Sequence, residues 1–266
     1  MKKHYLSLSA GCILAGLSTS AQAVTVFIED FEDTDYTSLY GNGYTQSHAD
    51  ASDFGSANGV GEDYFGRVDP VDGITINVDD DFTNLQGTGF FTGQDINNAN
   101  SGLDPNIQST ATLNWTGIDI TNYTNLSFSM FVAKGHLLNR WDANDSISIS
   151  YQIDGGGFTP IFGVENTANF NSQQTGIDRN NDGVADEAIG SGELITNAFA
   201  QFGESIAGTG SSLDLTITIA QDGFSNNDED FAFDNVEISG DLVPEPSSTS
   251  LLGLGGLALA LRRRRA

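Results

Sequence analysis

The sequence predicts an all-β fold, an antiparallel β-sandwich of the jelly-roll kind, from three observations. Apolar and polar residues alternate with period two, the helical period is nearly absent, and the connecting segments are rich in Gly, Asn and Asp. Around ten strands are expected, in order. Residues 24–28, 64–68, 74–78 and 111–115 are short strands of irregular pattern. Residues 126–132 alternate cleanly, with Leu126, Phe128, Met130 and Val132 on one face and Ser127 and Ser129 on the other. In residues 146–153, Ile147, Ile149, Tyr151 and Ile153 oppose Ser146, Ser148, Ser150 and Gln152. Residues 158–162 and 195–202 are less regular, and 213–219 alternates again, Leu213, Leu215, Ile217 and Ile219 against Asp214, Thr216 and Thr218. The last strand, 231–238, changes parity: Phe231 and Phe233 share one face, Val236 and Ile238 the other. One extra residue swaps the faces of a strand, so a bulge is expected at Asp234-Asn235. The domain runs from 24 to 242 as one unit, with 1–23 and 243–266 as processing segments.

Charge narrows the partners. The formal net charge is −26, and all 36 acids lie between Val24 and Leu261 against only Arg67, Lys134, Arg140 and Arg179. Such a surface repels nucleic acid, whose binding needs Lys and Arg to displace counterions, and it favours divalent cations. Lys2, Lys3, an apolar stretch and Ala21-Gln22-Ala23 form a secretory signal, with cleavage expected after Ala23. The alternative, lipidation at Cys12, lacks the usual Leu three residues earlier. With Cys12 removed, the mature chain has no thiol.

The C-terminus reads Val243-Pro244-Glu245-Pro246, a Ser/Thr spacer, an apolar run over 251–261, and Arg262, Arg263, Arg264 and Arg265. Arginines after an apolar run stay cytoplasmic, and Pro-Glu-Pro marks a helix boundary. This order closely resembles the PEP-CTERM sorting signal of Gram-negative bacteria. The resemblance implies a C-terminal sorting helix, inserted transiently in the inner membrane. It also implies recognition by an exosortase near Pro244, Glu245 and Pro246, and release to the cell surface or extracellular matrix. The run is short against roughly 20 residues for a span, which suits a temporary anchor. A permanent C-terminal anchor is the alternative.

Two acidic constellations are candidate calcium sites. Phe31-Glu32-Asp33 just after the first strand, taken with Phe233-Asp234-Asn235-Val236 in the last, resembles carbohydrate-binding jelly rolls. The resemblance implies a structural Ca²⁺ shared by Glu32 and Asp234, with Asp30 behind them; the alternative is a set of solvated turn residues. Residues 178–187 contain D-x-N-x-D-G-x-x-D, built from Asp178, Asn180, Asp182, Gly183 and Asp186. The pattern resembles the calcium loops of EF-hands and dockerins. Position 12 is Ile189 in place of the bidentate carboxylate, with Glu187 or Glu193 as substitutes, and an Asn/Asp/Gly turn is the alternative.

Carbohydrate stacking would fall to Trp141, in the polar segment Asn139-Arg140-Trp141-Asp142, where exposure is expected; Trp115 is assigned to the core. Gly41-Asn42-Gly43-Tyr44 and Gly59-Val60-Gly61-Glu62-Asp63-Tyr64 are further loop candidates. Catalysis has few residues to draw on. His48 and His136 lack ligand spacing, and no G-x-S-x-G elbow occurs. A paired-carboxylate glycosidase is the enzymatic alternative. The expected protein is an exported, non-enzymatic, calcium-stabilised sandwich at the cell surface or in the extracellular polysaccharide, with or without a specific glycan ligand.

Overall fold

The computed structural model describes residues 23–32, 44–46, 64–68, 82–94, 110–135, 141, 145–166, 175–186, 194–221 and 230–243. These form thirteen strands: β1 (Ala23–Glu29), β2 (Tyr44–Gln46), β3 (Tyr64–Val68), β4 (Phe90–Gln94), β5 (Thr110–Asp119), β6 (Tyr123–Lys134), β7 (Ser146–Ile153), β8 (Thr159–Asn166), β9 (Thr175–Asp178), β10 (Leu194–Ile195), β11 (Ala200–Ser205), β12 (Ser212–Ala220) and β13 (Phe231–Leu242). No helix occurs among the described residues.

Two antiparallel sheets carry the fold. One has the order β11-β6-β13-β4-β3, with β1 also on β13; the other is β10-β9-β8-β7-β12-β5-β2. Taken in chain order, β4, β5, β6, β7, β8, β11, β12 and β13 split into β4-β13-β6-β11 and β5-β12-β7-β8. That is jelly-roll connectivity: among these eight strands the chain changes sheet at every connection except the β7–β8 hairpin.

The alternating residues meet between the sheets. Leu126, Phe128, Met130 and Val132 of β6, Ile147, Ile149 and Tyr151 of β7, and Leu213, Leu215, Ile217 and Ile219 of β12 all join one buried cluster. Their serine and threonine neighbours lie on the outer faces, as a half-buried strand requires. The parity change in β13 is real. Phe231, Phe233, Val236 and Ile238 are all buried, and the register with β6 slips between Asp234 and Glu237. Asn235 absorbs the bulge in a left-handed conformation, φ 46°.

The expected strand over 195–202 is corrected. It divides into β10 and β11, which belong to different sheets. Between them the carbonyls of Thr196 and Asn197 accept the amides of Lys134 and Thr83, so the chain crosses from sheet to sheet instead of continuing one ladder. β2, β4 and β9 were not anticipated, being short and, in β4 and β9, interrupted by glycine. The expected strand 74–78 and the C-terminal sorting helix lie outside the described residues.

Candidate metal centre

β1 and β4 lie end to end along one edge of β13. Glu29 is opposite Val236 and Phe91 is opposite Phe233, which leaves Asp234 and Asn235 at the junction. The chain leaves β1 there because Phe31 is driven inward. It takes φ 54° and is fully buried, its ring 5.8 Å from Phe91 and 5.9 Å from Phe233. Phe91 stacks on Phe233 at 5.0 Å and meets Phe65 edge-on at 4.9 Å. Aromatic burial therefore pins the middle of Asp30-Phe31-Glu32 and holds the flanking carboxylates at the gap.

Each acid has a distinct environment. Glu29 is buried and accepts the Phe31 amide at 3.1 Å, while Asp30 accepts the Glu32 amide at 3.2 Å. Glu32 is cradled by the turn before β4: its Oε1 accepts the amides of Thr88 at 2.6 Å and Gly89 at 2.8 Å, and its Oε2 accepts the Thr88 hydroxyl at 2.8 Å. Burial pushes its carboxyl up, but the Gly89 amide, the Thr88 hydroxyl and amide, and the Arg67 charge hold it below the ordinary value. Gly87 and Gly89 are needed for this approach. A Cβ at Gly87 would land on the Glu32 carboxylate, and one at Gly89 on the Phe31 carbonyl oxygen.

Asp234 is 1 % exposed. Its Oδ1 accepts the Asn235 amide at 2.7 Å, while Oδ2 is buried without a hydrogen-bond partner. Burial first, and then the charges of Glu32 and Asp30, push its carboxyl up to about 7, with the amides of Asn235 and Gln86 pulling the other way. Asp30 and Glu32 are thus near enough for their charges to act on Asp234. The turn Gln86-Gly87-Thr88-Gly89 and the buried Arg67 were missed. The two glycines around Thr88, just before Phe90-Phe91, were the available signal. No group of three or more His, Cys, Asp or Glu side chains converges tightly enough for a preformed metal cage among the described residues. The fit to a cation rests on the orphaned Asp234 oxygen beside two further carboxylates.

The second candidate loop closes on its own amides. Buried Asp178 accepts Asn181 at 2.6 Å, Asp182 at 3.3 Å and Gly183 at 2.8 Å. Asp186 accepts the amides of Arg179 at 2.7 Å and Asn180 at 3.3 Å and the Asn180 side chain at 2.7 Å; Asp182 accepts Val184 at 3.1 Å. Asn181 and Gly183 supply the left-handed turns, φ 57° and 85°. Glu187, Ile189 and Glu193 lie outside the described residues. An unanticipated acidic neighbourhood adjoins this loop. Burial, then the charges of Asp178 and of fully buried Asp145, raise Glu165 to about 7. Lys134, lowered to about 8 by burial, donates to the Thr175 hydroxyl at 3.3 Å.

The expected exposure of Trp141 is corrected. It is 3 % exposed, and its indole N–H donates to the Asp230 carbonyl at 3.2 Å. A ring sealed in the core presents no face to a sugar, and Trp115 is equally buried at 1 %. The Tyr44 and Tyr64 side chains, His48, His136 and the segment from Pro244 through Arg265 lie outside the described residues.

The family model of the PEP-CTERM protein-sorting motif matches residues 242–265, beginning at the last residue of β13. No curated protein matches the chain. The motif implies export, surface association and recognition by an exosortase.

Proposed function

We propose that this exosortase-sorted β-sandwich acts as a non-enzymatic component of the cell surface and its polysaccharide matrix, with calcium stapling the first strand to the last. The observation that carries the reading is Asp234 Oδ2, a buried carboxylate oxygen without a partner, at the junction of β1, β4 and β13 and facing the charges of Asp30 and Glu32. A cation there would draw oxygens from Asp234, Asp30 and Glu32 and neutralise three carboxylates that otherwise repel one another. The residues 178–186 would serve as a weaker second site, because its carboxylates already satisfy backbone amides.

Within this reading the structural role is favoured over a dedicated glycan-binding one. The burial of Trp115 and Trp141 removes the two tryptophans from any stacking platform. Charge density and calcium bridging between carboxylates and matrix would then do the work.

The test is the melting temperature of the mature secreted protein in millimolar calcium and in chelator. Binding to the folded state alone stabilises by about 2.7 kcal/mol at a hundredfold excess over Kd. A rise in calcium that Asp234→Asn abolishes supports the reading. Identical melting in both media removes calcium from it.

A further inference from the structure

The end of the sandwich that carries the sorting motif has a surface of its own. Ala23 is opposite Asp241 in the β1–β13 ladder, so the bond expected to be cut by signal processing and the start of the sorting motif leave the same end of the domain. No spacer separates fold from motif. β13 runs to Leu242, and the Val243 amide donates to the Asn122 carbonyl at 2.8 Å, immediately before Pro244. The turns at this end are tied together: Ile120 N–H donates to Ser211 O at 3.1 Å, Asp154 N–H to Ser212 O at 2.9 Å, and Ser211 N–H to Asp154 Oδ1 at 3.0 Å.

Exposed apolar side chains mark two opposite corners of this braced end. Val24, opposite Gly240, is on the same face of the sheet as Leu242, since opposed residues share a face and β13 alternates. Val24 is 42 % exposed, Leu242 52 % and Val243 45 %; Phe158, in the β7–β8 turn at the same end, is 55 % exposed. These are four of the seven large exposed hydrophobics among the described residues. The two turns that frame them carry Asp119 and Asp154, and the ladder end carries Asp241. An anionic bilayer surface would be repelled by those carboxylates, so a protein fits this face better than lipid does.

We propose that this end of the sandwich is a docking surface for the exosortase, which reads the folded domain through Phe158, Val24 and Leu242 as well as Pro244-Glu245-Pro246. The inference rests on the sorting motif. Only seven residues, 244–250, separate Val243 from the apolar run, a reach of at most about 25 Å. An enzyme closing on Pro-Glu-Pro at the membrane therefore meets this end.

The experiment uses the full-length chain in its own producing cell and reads the ratio of unprocessed membrane-held chain to sorted surface chain. Phe158→Ser, 86 residues before Pro244 and fully outside the motif, is expected to slow sorting by about fivefold or more, as loss of an interface anchor does. A ten-residue Gly/Ser insertion between Val243 and Pro244 slows it likewise, while Ile28→Ser and Leu85→Ser, exposed apolar residues elsewhere, leave it unchanged. Normal sorting of Phe158→Ser and of the insertion overturns the docking surface. So does Phe158-dependent binding of the purified mature protein to phosphatidylcholine vesicles with sorting unaffected, which would assign the face to lipid. Glu245→Ala separates the two levels: if it is sorted normally, the motif reading itself fails.

Discussion

Phe31 decides where the acids of the first turn go. Its left-handed backbone would be costly for a bulky residue on a free loop, and the three-ring cluster with Phe91 and Phe233 holds it there. The neighbouring Asp30 and Glu32 are held beside Asp234 as a consequence. For Asp234 the effect on stability can be signed. Its folded value of about 7 lies above the ordinary 3.8, so between these limits the folded chain holds a proton that the unfolded chain has released. Stability in chelator should therefore fall as pH rises from about 4 to about 7, and Asp234→Asn should flatten that slope. At pH 8 the same substitution is expected to raise the melting temperature in chelator and lower it in calcium. A shift of the same sign in both media would show that the residue does not meet a cation. Asp178 behaves differently. Its carboxylate accepts three backbone amides while buried, so Asp178→Ala should cost about 2 kcal/mol in denaturant titration in chelator, and more in calcium. Asp182→Ala, which removes a single amide contact, is expected to lower the melting temperature in calcium and change little in chelator.

At the scale of the element, β13 is the spine of the first sheet, pairing with β6 on one edge and with β4 and β1 in succession on the other. Its bulge was legible because Phe231, Phe233, Val236 and Ile238 cannot all face the same core cluster on one unbroken strand. The split between β10 and β11 was not legible. Ile195, Phe199 and Phe202 are all buried, and a row of apolar residues carries no mark of which sheet receives each one. β4 was hidden for a related reason. Its Gly93 is required by the neighbouring strand, where a Cβ would strike the Phe231 ring, yet a glycine in sequence weakens a strand pattern. Gly93→Ala should therefore destabilise by about 2 kcal/mol through overpacking, measurable by urea denaturation. An unchanged midpoint would mean that Phe231 has room to move.

For the whole molecule, the closing feature is that first and last strands pair, so Ala23 and the start of the sorting motif share one end of the sandwich while the acidic gap lies at the far end of β1. Deletion from Pro244 onward removes no strand and should leave the melting temperature of the domain unchanged within about 2 °C, the scale of a surface change of a few tenths of a kcal/mol. The same deletion should abolish normal surface sorting, read by fractionation of cells and medium. Loss of folding on this deletion would mean that the segment beyond β13 belongs to the domain.

The order of residues along the chain was enough to establish the all-β class, the clean strands, the bulge in β13 and the sorting motif. Each of these depends on contiguous residues, through period two, a parity change or an ordered signal. Tertiary packing alone decided that Trp141 is buried, that residues 195–202 divide between sheets, and that Gln86-Gly87-Thr88-Gly89 and Arg67 surround Glu32. Burial and cation fit are set by groups far apart in the chain: Thr88 donates to a carboxylate 56 residues away, and Trp141 to a carbonyl 89 residues away. A local pattern shows which face of a strand is apolar. What comes to lie against that face, and which carboxylate oxygen is left without a donor, follows only from the meeting of distant strands.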